Sequence, residues 1–392
     1  MTRWHILALL FLARTALGFQ FQTLAAVGDN LVVAFGLDYA GIGLLIGLFM
    51  APGVILALPA GLWGRYVSDR NMVGFGLLAM AVGGIVSALS PGSFGMGAGR
   101  ILAGTGCLFA MIYFTKMVAD WFEGQEIATA MSIFVMSWPF GIAMGQIGHV
   151  WLAQSFGWQS PFVAASVYCG AAAFAIFAFY RAPHNLTDAT GGARVALTRQ
   201  EWRLILCAAT AWGVFNAAYV IYLSFGPKVL EGHGQSAFAA AGIVSIASWI
   251  MMFSGAVCGQ VVDRFGGRNK VLVGCMGGAV AALWLLGLPR AGVGASVLFG
   301  LIGMAPAGVI MAMAGQAMRP QVRAVGMGLF FTIYYVFMLM GPPVAGAVLD
   351  FTGNVQSPIW LAIVLFVSVV PLGLAFQHFK DKPVEGMERP AD

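Results

Sequence analysis

The chain has 392 residues, of which 60% are hydrophobic and 9% are charged, and its mean hydropathy is +0.87. A soluble globular domain has roughly 25% charged residues, so the composition excludes that class of protein. The formal net charge of +5 reflects the placement of basic residues in loops, and it does not call for a nucleic-acid partner.

Apolar stretches long enough to cross a bilayer recur along the whole chain. A helix that crosses the hydrocarbon core needs about 20 mostly apolar residues, and we count twelve such stretches between Trp4 and Phe376. The sequence therefore predicts an all-α protein embedded in a lipid bilayer. The first six predicted spans are Trp4–Phe35, Gly41–Gly64, Asn71–Ser90, Met96–Asp120, Ile127–Gln154 and Pro161–Tyr180.

A polar stretch divides the twelve spans into two groups of six. It runs from Arg181 to about Arg203 and is the only long interior segment without a spanning pattern. We therefore predict an N-terminal half at 1–181, a cytoplasmic linker at 182–203, a C-terminal half at 204–377 and a cytoplasmic tail at 378–392. The six spans after the linker are Leu204–Leu230, Ala237–Val262, Val271–Leu288, Ala295–Met318, Val325–Leu349 and Pro358–Phe376.

The start of the chain and the placement of basic residues predict the orientation. Arg3 precedes an apolar run, as in a signal peptide, but Arg14 interrupts the run and the apolar stretch continues. We therefore expect a retained first helix. Most Lys and Arg residues fall in loops on the side that carries both termini, and cytoplasmic loops are enriched in these residues. Both termini are expected to be cytoplasmic.

A compact basic loop separates the eighth and ninth spans, with the sequence Gly259-Gln-Val-Val-Asp263-Arg264-Phe-Gly266-Gly267-Arg268-Asn-Lys270. It resembles the signature that follows the second helix of each half in the major facilitator superfamily: Gly, three residues, Asp-Arg, then Gly and a basic cluster. We expect Gly259 to let two helices approach closely. Asp263, at a helix end, is expected to pair with Arg264 or Arg268 and to stabilise one conformation.

The first half carries an altered copy of this loop. It runs from Gly61 through Gly64 and Arg65 to Asp69 and Arg70, with one additional residue before Asp69 and without the later Gly. The two Asp-Arg pairs lie about two hundred positions apart, as expected for parallel repeats. The resemblance implies a conformational role for Asp69 and Arg70.

Two further patterns are similar to this superfamily. The fourth helix contains Arg100-Ile-Leu-Ala-Gly104-Thr-Gly106, and the fifth and eleventh helices are rich in Pro and Gly. Within the superfamily, the element Ser137-Trp138-Pro139 and the short chain resemble bacterial cyanate and nitrate-type anion carriers. The resemblance implies two pseudo-symmetric six-helix halves, alternating access to a central site and a fold that can be complete as a monomer, in the bacterial inner membrane.

Arg14 is the first candidate site residue, because it lies about 15 Å into the first helix, and an ionisable group at that depth indicates function. Phe21 and Asp29 fall on the same helical face. The resemblance implies that the first helix lines the cavity, so Arg14 is expected to face an anionic substrate. The alternatives are a structural ion pair with another helix or snorkelling toward the cytoplasm.

The fourth helix offers two more basic residues. Lys116 is a second candidate for substrate contact, although Asp120 at i+4 is a ready partner and the side chain can snorkel. Arg100 points almost the opposite way. Its resemblance to the superfamily's fourth-helix Arg implies a conformational or proton-linked role, against the alternative of an anchor at the outer interface.

The remaining candidates for substrate binding are uncharged. They are polar and aromatic residues on helices that the resemblance places around the central cavity. For each residue the alternative role is packing. A cavity with cations in one half and neutral polar aromatics in the other suits a small anion with an organic or polarisable body. These candidates are Ser137, Trp138, Trp212, Asn216, Tyr219, Tyr222, Ser248, Trp249, Gln316, Tyr334 and Tyr335.

Proton coupling is a hypothesis that depends on few residues. Asp29, Asp120 and His149 are the only protonatable candidates near the spans. Asp29 is the first choice because it shares a helical face with Arg14.

The favoured function is a secondary transporter for a small anion. Phosphate-loop, metal-ligand and nucleophile motifs are missing from the sequence, so we expect no enzyme activity, no cofactor and no metal. The five cysteines show no paired spacing and are expected to pack as small apolar residues. The alternatives are an efflux antiporter for apolar or cationic compounds, and a non-transporting sensor or assembly factor on a transporter fold.

Overall fold

The computed structural model describes residues 2–63, 67–122, 126–182, 197–319 and 322–381, without the side chains of residues 60–63, 128, 263, 323 and 324. The described chain is helical and contains no strand. Sixteen α-helices and one π-helical segment, Phe299–Gly303, follow one another. The α-helices are α1 (Arg3–Ala26), α2 (Gly28–Phe35), α3 (Tyr39–Leu48), α4 (Ala51–Trp63), α5 (Asp69–Leu89), α6 (Ser93–Trp121), α7 (Ile127–Val135), α8 (Ser137–Phe156), α9 (Ser160–Phe179), α10 (Arg199–Gly232), α11 (Ala237–Phe265), α12 (Arg268–Leu286), α13 (Gly292–Leu298), α14 (Ala307–Gln316), α15 (Arg323–Thr352) and α16 (Ser357–Lys380).

The predicted twelve spans are confirmed within the described chain, since twelve helical stretches are long and apolar enough to cross a membrane. The first span is shorter than predicted. It ends at Ala26, and Gly28–Phe35 forms the separate helix α2, because Val27 leaves the helical conformation at φ −119° and ψ 12°. Most of the predicted linker, residues 183–196, and most of the tail, 382–392, lie outside the described residues.

Two spans of the first half are each broken in the middle beside a proline. The helical hydrogen-bond pattern of the second span is interrupted at Phe49–Met50, just before Pro52, and that of the fifth span at Met136, three residues before Pro139. Phe49 and Met136 keep α-helical dihedral angles, and we call these two interruptions breaks. Proline lacks a backbone N–H, so the carbonyls of Leu48 and Val135 lose the N–H donors that they would have in a continuous helix. Each break therefore leaves backbone carbonyls in the middle of the bundle that need donors from elsewhere.

Helices α1 and α8 cross at a pair of glycines. A Cβ added at Gly141 would lie 2.2 Å from the carbonyl oxygen of Thr15, and one added at Gly18 would lie 2.4 Å from that of Trp138. These are backbone atoms and cannot turn aside. The two glycines therefore set how closely the first and fifth spans pack, as small residues do in membrane bundles.

Gly141→Ala is expected to destabilise the protein through this contact. Overpacking of this kind costs about 1–3 kcal/mol, so the thermal unfolding midpoint in detergent should fall. Gly148→Ala on the same helix is the control, because its Cβ would meet only the Phe19 ring at 3.9 Å. Equal midpoints for the two variants would contradict the packing assignment.

The first six spans meet the last six along α15 and α11. Helices α3 and α4 pack against α15, and α8 packs against α11. Glycine again permits the approach, since a Cβ at Gly43 would lie 2.2 Å from the carbonyl of Pro342 and one at Gly47 the same distance from that of Leu339. The division into halves at 182–203 agrees with this packing and stays a prediction.

The signature loop of the second half is shorter than its sequence pattern indicates. Helix α11 continues to Phe265, and only Gly266 and Gly267 form the turn, with φ values of +66° and +69°. Both conformations are left-handed and favour glycine. The expectation that Gly259 brings two helices together is wrong, because a Cβ there would meet nothing within 4 Å.

Candidate functional site

Arg14 binds the carbonyls that are freed at the α7/α8 break. Its Nη1 donates hydrogen bonds to the carbonyls of Phe134 at 3.0 Å and Val135 at 3.3 Å, and to Ser137 Oγ at 2.9 Å. The guanidinium also lies over the Phe134 ring, 4.6 Å from its centroid. Arg14 is buried at 5% exposure, so it does not snorkel. The ion pairs of the described residues do not include it, which argues against the alternative of a structural ion pair.

Arg100 plays the matching part at the α3/α4 break. Its Nε donates to the carbonyl of Leu45 at 3.2 Å, and Leu45 lies in the last turn of α3, where carbonyls lack helical partners. Its other nitrogens donate to α1, at the carbonyls of Gln20 and Phe21 and the hydroxyl of Thr23. Arg100 is 1% exposed, so the alternative of an anchor at the outer interface does not apply.

Neutral acceptors surround both guanidinium ions. The ion pairs of the described chain involve other residues, and the buried acid Glu201 pairs with Arg319 at 2.9 Å. Carbonyl dipoles stabilise a guanidinium but leave its net charge in place. Arg14 also keeps an unpartnered, buried Nε. The first half therefore holds two positive charges in a membrane interior where charge is costly.

A small central cavity lies between the two breaks and α15. Its volume is about 20 Å³, and aromatic rings form much of its wall. Phe49 and Trp138 come from the residues beside the breaks, and Phe21 packs on both, at 5.5 and 5.7 Å between ring centroids. The full lining is Phe49, Met50, Gly53, Gly104, Cys107, Leu108, Met111, Trp138, Tyr334 and Tyr335.

The structure brings together part of the predicted set at this cavity. Trp138, Tyr334 and Tyr335 line it directly. Trp212 reaches it through Tyr334, with ring centroids 6.4 Å apart. Trp249 lies on the face between α8 and α11, where its ring meets Phe140 edge-on at 5.3 Å.

Four predicted polar residues of the second half form hydrogen bonds within that half. Tyr219 and Ser248 share a hydrogen bond of 2.7 Å, and Tyr222 donates to Ser296 at 2.9 Å. Asn216 donates to the carbonyl of Trp212 one turn away, at 2.8 Å. These contacts give each residue a structural role in the position that the structure shows.

Lys116 and Gln316 lie away from the central cavity. Lys116 is half exposed and pairs with Asp69 at 2.5 Å and with Asp120 at 3.3 Å. Gln316 accepts hydrogen bonds from Arg268 at 3.0 Å and Lys380 at 2.9 Å. Both residues therefore belong to polar clusters near the end of the bundle that carries the termini.

Residues of the two loop motifs complete these polar clusters: Asp69 pairs with Lys116, and Arg268 bonds to Gln316. Arg70 donates to the carbonyl of Phe177, and Arg268 donates to that of Val309. Arg264 is exposed. The side chain of Asp263 and residues 64–66 lie outside the described residues.

Asp29 does not share its surroundings with Arg14, which corrects the reason for choosing it as the proton site. Asp29 pairs with Lys228 at 2.5 Å and accepts a hydrogen bond from Tyr39 at 3.1 Å. These residues lie at the end of the bundle opposite the termini, which we call the distal end. Asp29 lies 15 positions after Arg14 and outside α1, which ends at Ala26, and the two residues contact different helices.

The distal contacts join the halves and border a second cavity. Asp350 on α15 accepts hydrogen bonds from the backbone N–H groups of Tyr39 and Ala40, at 3.0 and 2.7 Å. The cavity has a volume of about 160 Å³ and is lined by both halves, including Asp29, Lys228 and Glu231. Lys228 is not among the predicted site residues, and its signal in the sequence is its position as a lone lysine inside the seventh predicted span.

Two further buried groups were missed or left undeveloped by sequence reasoning. Gln146 bonds with Gln22 and donates to the carbonyl of Leu223, at 3.1 Å, in the second half. His149 is fully buried, its Nε2 lies 2.8 Å from the carbonyl of Phe19, and its Nδ1 has no partner. Scattered Gln and His residues in apolar helices were the signal for this cluster.

The sequence profile of the Major Facilitator Superfamily matches residues 9–342. The chain belongs to this family. It is 24% identical over 395 residues to the 2-nitroimidazole transporter of Escherichia coli (strain K12), with 96% of each chain covered. It is also 24% identical over 395 residues to the gallate transporter of Pseudomonas putida, covering 89% of this chain and 86% of that protein.

Solved structures agree on the fold. A bacterial homologue of the human lysosomal transporter Spinster, in an inward-facing and occupied conformation, superposes with a TM-score of 0.75 at 16% identity, covering 99% of each chain. Family membership and twelve apolar helices make this facilitator-superfamily protein an integral multi-pass protein of the bacterial inner membrane. It is a transporter and not an enzyme.

Proposed function

We propose that this transporter carries a small organic anion whose body is aromatic or otherwise polarisable. The observation that carries the proposal is the pair of buried guanidinium ions, Arg14 and Arg100, whose charges are not balanced by a carboxylate in the described chain. An anion that entered between them would supply the missing negative charge. The free energy of burying both cations would then favour the bound state.

The cavity wall supports an aromatic body. Phe49, Trp138, Tyr334 and Tyr335 present rings to the same space, and rings pack well against rings. Gallate, the substrate in the name of one relative, is an aromatic carboxylate. The other relative is named for a nitro-substituted aromatic heterocycle. Both names agree with a planar substrate for this chain.

Alternating access is the mechanism that the contacts support. The halves are joined at the distal end by Asp29 with Lys228 and by Asp350 with the start of α3. We propose that these contacts close the distal end, that they break when it opens, and that the halves rock about the central cavity. With cytoplasmic termini, as the basic loops predict, the distal end faces the periplasm.

Proton symport is the proposed driving force for uptake. An inside-negative membrane potential opposes entry of an anion by about 2.3 kcal/mol per charge at 100 mV, so accumulation needs a cation. Asp29 and Asp120 already have lysine partners. Nδ1 of His149 has no hydrogen-bond partner among the described residues, so His149 is the remaining candidate to take up the proton.

Two variants separate these proton sites. We expect uptake by Asp29→Asn to keep its dependence on an inward proton gradient, because the Asp29 side chain is 53% exposed. We expect His149→Gln to lose that dependence, because the amide cannot be protonated near neutral pH. The measurement is initial uptake into liposomes with and without the gradient, and the opposite pattern would assign the proton to Asp29.

Flux through purified protein in liposomes tests the proposed function. Benzoate, benzamide and benzylammonium share one ring and differ in charge. Benzoate should cross protein-containing liposomes faster than empty ones, and the other two should not. Flux of benzylammonium alone would favour an efflux antiporter for cations, and binding of benzoate without flux would favour a sensor.

A further inference from the structure

Cys107 lies in the wall of the central cavity, on α6 between the two broken spans. The residue is 5% exposed and shares the cavity lining with Phe49 on one side and Trp138 on the other. A thiol is small, weakly polar and uncharged near neutral pH. The other hydrogen-bonding side chains of the cavity lining are those of Trp138, Tyr334 and Tyr335, and the two methionines add thioether sulfurs.

Both buried guanidinium groups contact residues at or beside the cavity wall that Cys107 shares. Arg100 lies over the Phe49 ring, 4.6 Å from its centroid, and Arg14 bonds to Ser137, the neighbour of Trp138. Cys107 is within electrostatic reach of both arginines. The unpartnered Nε of Arg14 is buried and remains available as a donor.

We propose that the anionic group of the substrate binds against Cys107, between Arg14 and Arg100. This inference rests on the proposed function and names the position of the charge within it. A carboxylate at Cys107 would meet two cations at once and an unused donor on Arg14. The ring of the substrate would then extend toward Tyr334 and Tyr335 on α15, which close the other side of the cavity.

The size of the cavity sets a condition on this binding. About 20 Å³ holds roughly one water molecule, so an aromatic carboxylate fits only after α15 moves away from the first half. Binding of the charge at Cys107 and separation of Tyr334 and Tyr335 are therefore linked. The opened cavity would admit the anion, and α15 would then close on the body of the bound substrate.

A carboxylate built into the protein tests the position without any ligand. In Cys107→Asp, the new side chain would lie between the two arginines and replace the substrate's charge. We expect its unfolding midpoint in detergent, without ligand, to exceed that of Cys107→Asn by about 2 °C or more. Asn has nearly the same shape as Asp but no charge, so the difference between the two variants reports the effect of the negative charge.

Cys169→Asp is the control for burial. Cys169 is fully buried on α9, and its thiol faces the carbonyl of Ala16 at 3.9 Å. No cation of the described residues acts on the Cys169 thiol, so a carboxylate there would be buried without a partner. We expect this variant to unfold at a lower temperature than wild type.

Binding of benzoate completes the test. Benzoate should raise the midpoint of wild type and of Cys107→Asn, and it should not raise that of Cys107→Asp, because the site is already neutralised. A midpoint of Cys107→Asp at or below that of Cys107→Asn, or a benzoate response that survives in Cys107→Asp, would overturn the inference. No benzoate response in wild type, with Cys107→Asp still the more stable, would count against the proposed substrate class and leave the position of the charge supported.

Discussion

Replacing Arg14 with Gln is expected to reduce benzoate uptake by about 100-fold, which corresponds to about 2.7 kcal/mol. Arg14 donates to two carbonyls and a hydroxyl at the α7/α8 break and carries one of the two unbalanced charges. Charge-assisted hydrogen bonds contribute about 1.5–3 kcal/mol each, so the unfolding midpoint should fall as well. The measurements are liposome uptake and thermal unfolding of the same preparation.

Arg14→Lys separates the charge from the geometry. The ammonium keeps the positive charge but cannot reproduce the planar fork of donors. If the charge attracts the substrate, Arg14→Lys should retain more uptake than Arg14→Gln even where the two unfold at similar temperatures. Equal uptake by both variants, in proportion to their stability, would show that Arg14 only holds the break together.

Gly43→Ala is expected to reduce uptake by about tenfold or more by holding the distal end apart. Its Cβ would lie 2.2 Å from the carbonyl of Pro342 on α15, and overpacking against backbone costs about 1–3 kcal/mol. That cost falls on the closed distal end, where the halves touch. Gly242→Ala on α11, with nothing within 4 Å of its Cβ, is the control.

A cysteine reporter checks the direction of this effect. Ile46 lines the distal cavity and is 3% exposed. Ile46→Cys should react with a membrane-impermeant maleimide faster when combined with Gly43→Ala than when combined with Gly242→Ala. Slower labelling in the Gly43→Ala background would mean that the added methyl group does not open the distal end.

The spans could be predicted because length and hydropathy alone determine whether a segment can cross a bilayer. The breaks within them could not. Pro52 and Pro139 are visible in the sequence, but proline is tolerated in membrane helices when neighbouring donors satisfy the freed carbonyls. Whether a helix bends or breaks therefore depends on tertiary partners such as Arg14 and Arg100.

The partners of the buried arginines were beyond sequence reasoning for a related reason. A search for ion pairs looks for Asp and Glu, and backbone carbonyls carry no sequence signature. A single straight helix would place Asp29 on the same face as Arg14, and the helix end at Ala26 removes that relation. The resemblance predicts that Gly259 packs against another helix, and the open space around it contradicts this prediction.

Part of the candidate site could be anticipated from helical faces. Phe21, Trp138, Tyr334 and Tyr335 were chosen as cavity residues, and the structure places them at one cavity or against its lining. Lys116 and Gln316 were chosen by the same reasoning and pair instead near the termini. The two groups differ in their position along the helix. Lys116 and Gln316 lie near helix ends, where they reach partners that a helical wheel does not show.

The most direct test of anion recognition is the unfolding midpoint of the wild-type protein in detergent with benzoate, benzamide or benzylammonium. A ligand that binds the folded state raises this midpoint by mass action, so the result does not depend on the direction of transport. Two unbalanced arginines beside an aromatic cavity predict stabilisation by benzoate alone among the three. Stabilisation by benzylammonium and not by benzoate would contradict anion recognition and leave Arg14 and Arg100 as structural donors to the broken helices.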